Sequence, residues 1–332
     1  MVKEKLSVCI PVYNGERTIA ETLRCILSQS LSDFELLIVD NASADNTVSI
    51  VKSFSDPRIR LVVNERNIGC GMNLEVCKKR ASGDILFFIS ADDLAQKDAL
   101  LKVMDAFFIS DDIGIVTRPY FWFEESLLRP VRATRQFEEM EIVSLDSHLE
   151  KIRNAVALFD QISGMAFRKR YMRFEFGQEP FIEIAKMAIP MMKICKVVIL
   201  PDNIVAVRIS NNGSMDPAVY KNSPLLAWYN VVIESFSGKE YCYIRKYLVN
   251  KFVANNYVGL VQIKVFGGWK CLFREIAALI KLRWSNIVSC QFWFFVLGTF
   301  LLPGNILRRL TSGYKSKINH ILIDRIILKG WS

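Results

Sequence analysis

Four short apolar runs, separated by stretches of helical periodicity, occupy the first 95 residues and limit the folds that this chain can adopt. The runs lie at residues 6–12, 34–39, 59–63 and 85–89. Alternating strands and helices are typical of a parallel sheet with helices packed on its faces. We therefore expect an α/β fold with a Rossmann-like, mostly parallel central sheet flanked by helices.

The fourth run, Ile85–Ile89, is followed almost at once by two adjacent carboxylates, Asp92 and Asp93. An unbroken apolar run after Gly83 predicts a strand that is buried on both faces. In open α/β sheets, ligands bind at the carboxyl ends of the strands. Carboxylates at that position suit a hard divalent cation that is shared with substrate phosphates. The alternative is that one of the two caps a helix that begins near Gln96.

The chain beyond residue 95 has a less regular pattern. We expect a helix at 96–109, strands at 114–117, 162–167, 197–200 and 204–209, and helices at 145–159 and 179–192. No period is readable in residues 121–143, and long apolar and basic stretches beyond Pro224 predict helices. We divide the chain into a first domain, residues 1–222, and a helical extension, residues 223–332.

Composition narrows the class of protein and its compartment. A chain of 332 residues can bury a large core. Its eight cysteines include no Cys-x-x-Cys pair and it has only two histidines, so a zinc site is not expected. Cysteines within apolar stretches fit reduced thiols, and the amino terminus has no signal-peptide pattern. We expect a cytoplasmic protein.

The net charge of +9 is concentrated in the tail, residues 239–332, which has 15 Lys or Arg against three acidic residues. Residues 284–307 carry no charge, and their dense apolar part, residues 292–302, is shorter than the roughly 20 residues of a spanning helix. We therefore expect an interfacial helix, with basic flanks that bind an anionic membrane surface. The alternatives are a membrane span and a core helix of a small second domain. No nucleic-acid-binding motif is present, so no nucleic-acid partner is expected.

Polar groups follow three of the predicted strands, at Pro11 to Asn14, at Asp40 and at Ser90 to Asp93. The first strand is not followed by Gly-x-Gly-x-x-Gly, and the chain has no Walker A sequence, which disfavours those two kinds of nucleotide site. A carboxylate after the second strand can accept hydrogen bonds from a base or ribose. Carboxylates after the fourth can hold a metal on a diphosphate, so we predict a nucleoside-diphosphate site.

Four segments in this order resemble family 2 glycosyltransferases with the GT-A fold, across roughly residues 5 to 210. They are Ser-Val-Cys-Ile-Pro-Val-Tyr-Asn at 7–14, Ile-Val-Asp-Asn-Ala-Ser-Ala-Asp-Asn-Thr at 38–47, Asn67-Ile68-Gly69 with Asn73, and Ala-Ser-Gly-Asp-Ile-Leu-Phe-Phe-Ile-Ser-Ala-Asp-Asp at 81–93. The resemblance implies a set of residues that bind a nucleotide-sugar donor: Pro11, Tyr13, Asn14, Asp40, Asn67, Gly69, Asn73, Ser90, Ala91, Asp92, Asp93 and Arg208.

Within that set, the resemblance implies that Asp40 binds the base and that Asp92 is the metal-holding carboxylate of an Asp-x-Asp motif, with Mg²⁺ or Mn²⁺ as the cofactor. Ser90 stands where the family often has the first Asp of that motif, and Asn41 stands where a second Asp is frequent. With one charge fewer, most of the metal ligands would come from the diphosphate and water, as Mg²⁺ tolerates.

Inverting glycosyl transfer needs a general base that takes the proton of the acceptor hydroxyl. The resemblance implies an Asp or Glu at the start of a helix beyond the sheet. Glu179 fits, because Pro180 after it can occupy the first helical turn. Glu183, one turn later, is the rival for this role. Glu179 can alternatively serve only as a partner of the helix dipole.

Arg208 begins a segment, residues 208–214, that resembles the family's Arg-x-His-x(4)-Ser sequence with Ser210 in place of the His. The resemblance implies that Arg208 contacts the diphosphate or the loop that covers it, and the alternative is a structural ion-pair partner. The Gln-x-x-Arg-Trp motif of processive synthases is not matched, because Ile280 replaces the Gln before Arg283-Trp284. We therefore expect the transfer of a single sugar.

These observations together predict an inverting, metal-dependent glycosyltransferase that moves one sugar from a nucleotide-diphosphate sugar to a hydroxyl group. The basic, aromatic tail suggests a lipid-linked saccharide acceptor in surface-polysaccharide synthesis, such as that of O-antigen, at the inner face of the cell membrane. Two alternatives remain open. One is a nucleotide-sugar-binding module without catalysis, and the other is a sugar nucleotidyltransferase.

Overall fold

Two β-sheets and a layer of helices make up the fold. The structure is a computed structural model, and it describes residues 4–124, 126–127, 130–209, 219–220, 222–304, 306–307 and 331. The strands are β1 (Leu6–Val12), β2 (Glu35–Asp40), β3 (Ile59–Val63), β4 (Ile85–Phe88), β5 (Leu94–Ala95), β6 (Ile113–Thr117), β7 (Tyr120–Phe123), β8 (Arg132–Ala133), β9 (Glu141–Val143), β10 (Met165–Arg168), β11 (Lys196–Ile199) and β12 (Val205–Arg208). The helices are α1 (Ile19–Leu27), α2 (Thr47–Lys52), α3 (Cys70–Arg80), α4 (Ala99–Phe108), α5 (Leu149–Ala157), α6 (Glu183–Met191), α7 (Pro224–Ser235), α8 (Cys242–Lys251), α9 (Gly259–Gln262), α10 (Gly268–Leu282) and α11 (Cys290–Leu301).

The larger sheet has the strand order β3-β2-β1-β4-β10-β6-β11-β9 among the residues described. β1 pairs in parallel with β2 and β4, and β2 pairs in parallel with β3, so the first four strands form the predicted parallel half. β10 runs antiparallel to both β4 and β6. The predicted α/β sheet is thus confirmed, and its second half is mixed rather than parallel.

The centre of this sheet is β4, whose four side chains are all completely buried. Phe88 at its end makes edge-to-face contacts with Phe167 and Phe176, with ring centroids 6.0 and 5.5 Å apart. Such aromatic pairs add about 0.5–1.5 kcal/mol each beyond the area that they bury. The carboxyl end of β4 is therefore held rigidly where the acidic pair begins.

A smaller sheet, in the order β5-β12-β7-β8, lies against the end of the first and was not expected from the sequence. β5 and β8 have two residues each, too few for a readable period; β5 lies just before the predicted helix at 96–109, and β8 lies in residues 121–143, where no period is readable. β5 follows Asp93 directly and pairs with β12. The sheet therefore brings Arg208, the last residue of β12, to the acidic pair.

Three helices begin later than the sequence suggests, α4, α5 and α6, and α5 begins at Leu149 rather than at residue 145. α4 begins at Ala99 with Asp98 at its N-cap position, so the interpretation of Asp92 or Asp93 as a cap for a helix near residue 96 is wrong. α6 begins at Glu183, and Pro180 lies in a turn before it. The prediction that Pro180 occupies the first helical turn is wrong, and so is the alternative of Glu179 as a helix-dipole partner.

The helices from α7 to α11 share one continuous hydrophobic core with the larger sheet. α11 buries Phe292, Phe295 and Val296, whereas Phe294 and Leu301 on its other side are 68% and 76% exposed. No helix among the described residues is long and apolar enough to cross a membrane. The expected division at residue 222 stays a prediction, and the basic residues beyond 307 that it includes lie outside the described residues.

Candidate active site

The carboxyl ends of β1, β2 and β4 meet at one edge of the sheet, as predicted. Val12 at the end of β1 lies opposite Asp40 at the end of β2, and Asp40 is completely buried. Its Oδ2 accepts a hydrogen bond from the Ser43 backbone N–H at 2.9 Å. Its Oδ1 has no hydrogen-bond partner among the described residues, although it is buried. Because a buried carboxylate oxygen without a partner is costly, this atom suits a donor group on a ligand.

The loop after β1 is fixed against the loop after β2. The Asn14 backbone N–H donates to the Ser43 hydroxyl, and the Asn14 side-chain oxygen accepts from the Ala44 backbone N–H at 2.9 Å. Asn14 has a φ of 51°, a left-handed conformation that Asn tolerates well. Pro11 is partly buried within β1, whereas the Tyr13 side chain is 50% exposed at the edge. Of the three predicted residues, Tyr13 is the one whose ring is available for stacking.

Four asparagines link the ends of β2 and β3 to the start of α3. The Asn41 amide donates to Asn67 Oδ1 at 2.9 Å and accepts from Asn64, and Asn64 also donates to Asn73. Asn67 Oδ1 further accepts from the Gly69 backbone N–H, and Asn73 is buried. Asn41 acts as donor and acceptor at once, which an aspartate cannot do, and this explains the departure from the family pattern. In this network Asn67, Gly69 and Asn73 shape the loop that borders the site.

The two carboxylates after β4 differ in their surroundings. Asp93 is buried; its Oδ2 accepts from the Ser163 hydroxyl at 2.5 Å and its Oδ1 from the Arg208 backbone N–H at 2.8 Å. Burial, with the neighbouring charge of Asp92, raises the pKa of Asp93 well above its ordinary value. Asp92 is only partly buried. Asp93 therefore ties the two sheets together, and Asp92 is the member of the pair that lies nearer to solvent.

The turn that carries the acidic pair is held in place by hydrogen bonds from two sides. The Thr22 hydroxyl donates to the Ala91 carbonyl at 3.0 Å, and the Ser90 backbone N–H donates to Ser163 Oγ at 2.8 Å. Ser163 was not identified from the sequence, because it lies 70 positions after Asp93, within the segment 162–167 that was predicted as a strand. In the structure it lies in the turn before β10.

Arg208 lies beside the acidic pair. Its Nε donates to the Asp92 carbonyl at 3.0 Å, and its Nη2 forms an ion pair with Glu21 at 2.5 Å. The guanidinium lies 4.5 Å from the centroid of the Phe123 ring. The structural ion pair is thus present, and contact with a diphosphate stays a prediction. Residues 210–214 of the same motif lie outside the described residues.

A divalent metal would find one suitable protein carboxylate at this edge. Among the described residues no group of three or more His, Cys, Asp or Glu side chains could hold a metal. Both oxygens of Asp93 already accept hydrogen bonds, which leaves Asp92 as the ligand of the pair. One carboxylate plus phosphate and water oxygens satisfies Mg²⁺, so the residues fit a metal that arrives with a diphosphate.

The two candidate bases lie in different environments. Glu179 is exposed in the turn before α6, whereas Glu183 is the partly buried first residue of that helix. Burial raises the pKa of Glu183 to about 7, against the opposing effect of nearby backbone N–H groups. Phe181 between them has a φ of 72°, a strained conformation for a bulky residue.

The segment that carries Glu183 packs against the start of α3. A Cβ atom on Gly71 would lie 1.9 Å from the Gly177 carbonyl oxygen, so only glycine permits this approach. The Gly177 backbone N–H in turn donates to the Glu183 carbonyl at 2.9 Å. Glu183 is thereby held beside the helix that follows the Asn67–Gly69 loop. Which of the two glutamates serves as the general base stays a prediction.

Comparison with known proteins gives consistent results. A family model described as "Glycosyl transferase family 2" matches residues 7–177. The putative glycosyltransferase EpsE of Bacillus subtilis is 39% identical over 94 residues, which cover 27% of this chain and 34% of EpsE. The Escherichia coli enzyme WfgD, a UDP-Glc:alpha-D-GlcNAc-diphosphoundecaprenol beta-1,3-glucosyltransferase, is 38% identical over 89 residues, 27% of this chain and 35% of WfgD. The matches thus span about a third of these relatives.

Solved structures show the same architecture over a larger part of the chain. Residues 1–349 of Staphylococcus aureus TarS, in complex with UDP-GlcNAc, superpose with a TM-score of 0.63 over 84% of this chain and 81% of that one, at 17% identity. The mannosyltransferase PcManGT of Pyrobaculum calidifontis, with GDP-Man and Mn²⁺, gives a TM-score of 0.53 over 91% and 87%, at 17% identity. The expected GT-A fold is confirmed.

Proposed function

Because this chain belongs to glycosyl transferase family 2, we propose that it moves one sugar from a nucleotide-diphosphate sugar to an acceptor hydroxyl in the synthesis of a cell-surface polysaccharide. The observation that carries the proposal is the convergence, at one sheet edge, of an open buried oxygen on Asp40, a carboxylate at Asp92 and a guanidinium at Arg208. The fold relatives bound to UDP-GlcNAc and to GDP-Man support a nucleotide-sugar donor.

On the donor side, Asp40 Oδ1 accepts a hydrogen bond from an N–H group of the nucleotide base, and the exposed ring of Tyr13 stacks on the face of that base. Such a charge-assisted hydrogen bond contributes about 1.5–3 kcal/mol. The loop made by Asn14 and the asparagine network is already fixed by protein hydrogen bonds, so little ordering is needed on binding. The donor pocket is therefore largely formed before the nucleotide arrives.

At the diphosphate, Asp92 holds the divalent cation, and Arg208 lies alongside. A bound Mg²⁺ or Mn²⁺ supplies Lewis-acid stabilisation of the charge that develops on the departing nucleoside diphosphate. Arg208 adds a fixed positive charge, which its ion pair with Glu21 and its contact with Phe123 keep in place. A guanidinium is always protonated and binds phosphate oxygens with fixed geometry.

On the acceptor side, Glu183 takes the proton of the attacking hydroxyl. The acceptor oxygen forms a bond to the anomeric carbon, the bond from that carbon to the donor phosphate oxygen breaks, and the hydroxyl proton moves to the Glu183 carboxylate. This displacement inverts the anomeric configuration. A pKa of about 7 suits a base at neutral pH, because the ionised form is populated and still accepts protons readily.

The experiment is transfer by the purified protein from a panel of UDP, GDP and dTDP sugars with Mn²⁺, followed as nucleoside-diphosphate release. We expect Asp92→Ala to lower the rate on the order of 100-fold, since a metal supplies several kcal/mol. Asp84→Ala, at the opposite end of β4, is the matched control and should retain activity.

Three outcomes would contradict the proposal. Inorganic diphosphate release would indicate a nucleotidyltransferase. Nucleotide-sugar binding without turnover on any acceptor would indicate a binding module. Equal rates for Asp92→Ala and the wild type would remove the metal role of Asp92.

We further propose that α10 and α11 rest on the inner face of the cell membrane, where a lipid-linked acceptor is presented. Exposed apolar side chains are clustered here: Trp269, Phe273, Trp284, Val288, Trp293, Phe294, Leu297, Phe300 and Leu301. Trp269, Phe273 and Phe300 contact one another, and Lys264 lies over the Trp269 ring. Apolar patches with basic neighbours are typical of interfacial helices. The lipid-linked substrate in the name of WfgD supports the same kind of acceptor.

Sedimentation with phosphatidylglycerol vesicles tests this surface. The double substitution Trp269→Ser with Phe273→Ser should release the protein into the supernatant, whereas Phe108→Ser, an equally exposed aromatic on α4, should not. Equal sedimentation of both variants would contradict the assignment.

A further inference from the structure

A cavity of about 660 Å³ lies between the smaller sheet and the C-terminal helices, and neither Asp40 nor Asp92 lines it. Its sheet-side wall includes Trp122 of β7 and Arg132 of β8, and its helix-side wall includes Trp228 and Phe252. Phe181, two residues before Glu183, also lines it. The cavity therefore lies close in sequence to the proposed general base.

Arg132 is the unusual residue in this cavity. Its guanidinium stacks on the Trp122 ring, 3.4 Å from the centroid, and the two residues face each other across the β7–β8 pair. Its Nε is buried and has no hydrogen-bond partner within the described parts of the chain, and no ion pair is formed by it there. An arginine held flat on an aromatic ring presents its N–H groups sideways in a fork that matches phosphate or carboxylate oxygens.

The charges around Arg132 leave a positive surplus. Asp160 accepts a hydrogen bond from the Tyr120 hydroxyl at 2.7 Å and is attracted by both Arg118 and Arg132. Lys251 also lines the cavity. Burial lowers the pKa of the Arg132 guanidinium, against the opposing effect of Tyr120 and Asp160. An anion beside it would replace the solvation that burial removes.

The helix-side wall combines polar and apolar groups. Its polar residues are Lys251, Asn255, Asn256, Gln262 and Glu275, and its apolar residues include Val253, Val258, Leu260 and Ile263. The Glu275 carboxylate is used within the protein, since it accepts from the Ser223 hydroxyl and from the Leu225 backbone N–H. The chain that supplies Leu260 and Ile263 continues directly into α10, which carries the exposed Trp269 and Phe273. An apolar ligand in the cavity would thus lie next to the proposed membrane surface.

We propose that this cavity binds the phosphate group of a lipid-linked acceptor, with Arg132 as the phosphate ligand and the apolar residues of the helix-side wall against the first part of the lipid chain. The proposal rests on the proposed function, because it assigns the acceptor of that reaction. Arg132 selects acceptors through the group that links sugar to lipid, and Phe181 places the sugar near Glu183. The family match ends at residue 177, so most of the helix-side wall lies outside it.

Isothermal titration with farnesyl diphosphate, a short soluble analogue of a prenyl diphosphate, tests the site. We expect the wild type to bind it, and Arg132→Gln to weaken binding at least tenfold, since a hydrogen bond to a charged group contributes about 1.5–3 kcal/mol. Arg132→Lys, which keeps the charge and loses the fork, should fall between the two. Arg135→Gln is the matched control, because Arg135 is 57% exposed and pairs with Glu150 instead.

Ala157→Phe offers a second route to the same result. Ala157 lines the cavity, and the larger side chain should fill it and block binding while Arg132 stays in place. Retained binding of the donor nucleotide by both variants shows that each is folded. Loss of farnesyl diphosphate binding in both variants, with nucleotide binding retained, supports the proposal.

Equal binding of farnesyl diphosphate by the wild type and Arg132→Gln would overturn the proposal, as would equal affinity for farnesol. Binding of glucuronate but not of farnesyl diphosphate would show that the cavity takes a carboxylate, which overturns the phosphate assignment. Arg132-dependent binding in a protein that binds no nucleotide sugar would reject the proposed function and leave the cavity assignment standing.

Discussion

The donor and acceptor sides of the proposed active site satisfy their polar groups in different ways. On the donor side, Asn41, Asn67 and Asn73 bond to each other or to the backbone, so the loops stay fixed without a ligand. On the acceptor side, Arg132 lines a cavity, and its buried Nε has no hydrogen-bond partner among the described residues. A preformed network favours one class of ligand, whereas a guanidinium with an unpaired buried N–H depends on its ligand to complete it.

Asp40 and Glu183 are the residues at which this contrast can be tested. Asp40 is the donor-side group with an unpaired buried oxygen, and Glu183 is the acceptor-side group whose charged form is disfavoured by burial. If the two sides are functionally separate, changes at Asp40 should affect donor affinity, and changes at Glu183 should affect the rate of transfer.

The largest effect is expected from Glu183→Gln. Loss of general-base help typically lowers a rate by about 10²–10⁴-fold, and the donor affinity should be unchanged because Glu183 is assigned to the acceptor side. Because burial disfavours the charged carboxylate, the neutral amide should not lower the melting temperature above pH 7. Single-turnover transfer and nucleotide titration measure the two quantities.

Glu179→Gln is the control for that substitution, since Glu179 is exposed in the turn before the helix. A large loss of rate with Glu179→Gln and none with Glu183→Gln would reverse the assignment. Glu179, which the sequence pattern favours, would then be the general base.

A smaller effect, about 10- to 100-fold on donor affinity, is expected from Asp40→Asn. The amide can keep the hydrogen bond from the Ser43 backbone with its oxygen, but it places an NH₂ where the unpaired Oδ1 would accept from the base. Donor affinity measured by titration should fall, and the rate at saturating donor should change little. Asp56→Asn is the control, because that carboxylate pairs with Arg58 before β3, at the opposite edge of the sheet. Unchanged donor affinity in Asp40→Asn would remove Asp40 from the nucleotide site.

The same two sides differ in how far the sequence predicts them. The donor side comes from four consecutive strand-helix units, where hydrophobic periodicity is local and long enough to read, so β1 to β4 and the edge that carries Asp40 and Asp92 are as expected. The acceptor side depends on strands of two to four residues, some of which pair across long separations, as Trp122 of β7 does with Val207 of β12. No local pattern encodes such a pairing.

Two site residues illustrate the same limit. Asp93 and Asp92 are indistinguishable in sequence, and only Ser163 and the backbone of Arg208 decide that Asp93 is the structural member. Pro180 suggests a helix start, but the left-handed backbone at Phe181 delays α6 until Glu183. In both cases a tertiary contact or a backbone angle, rather than the local sequence pattern, determines the structure.

The smallest effect expected is in the pH dependence of the transfer rate at saturating donor. Burial is the main cause of a Glu183 pKa near 7, so the carboxylate is mostly protonated below that pH and cannot accept the hydroxyl proton. The rate should rise about tenfold from pH 5.5 to 6.5, because below the pKa the ionised fraction increases tenfold per pH unit, and it should level off above pH 7.5. The rate of the Glu183→Gln variant should not show this rise with pH, whereas the rate of the Asp40→Asn variant should show it. If the rise persists in Glu183→Gln, another group titrates and Glu183 is not the general base.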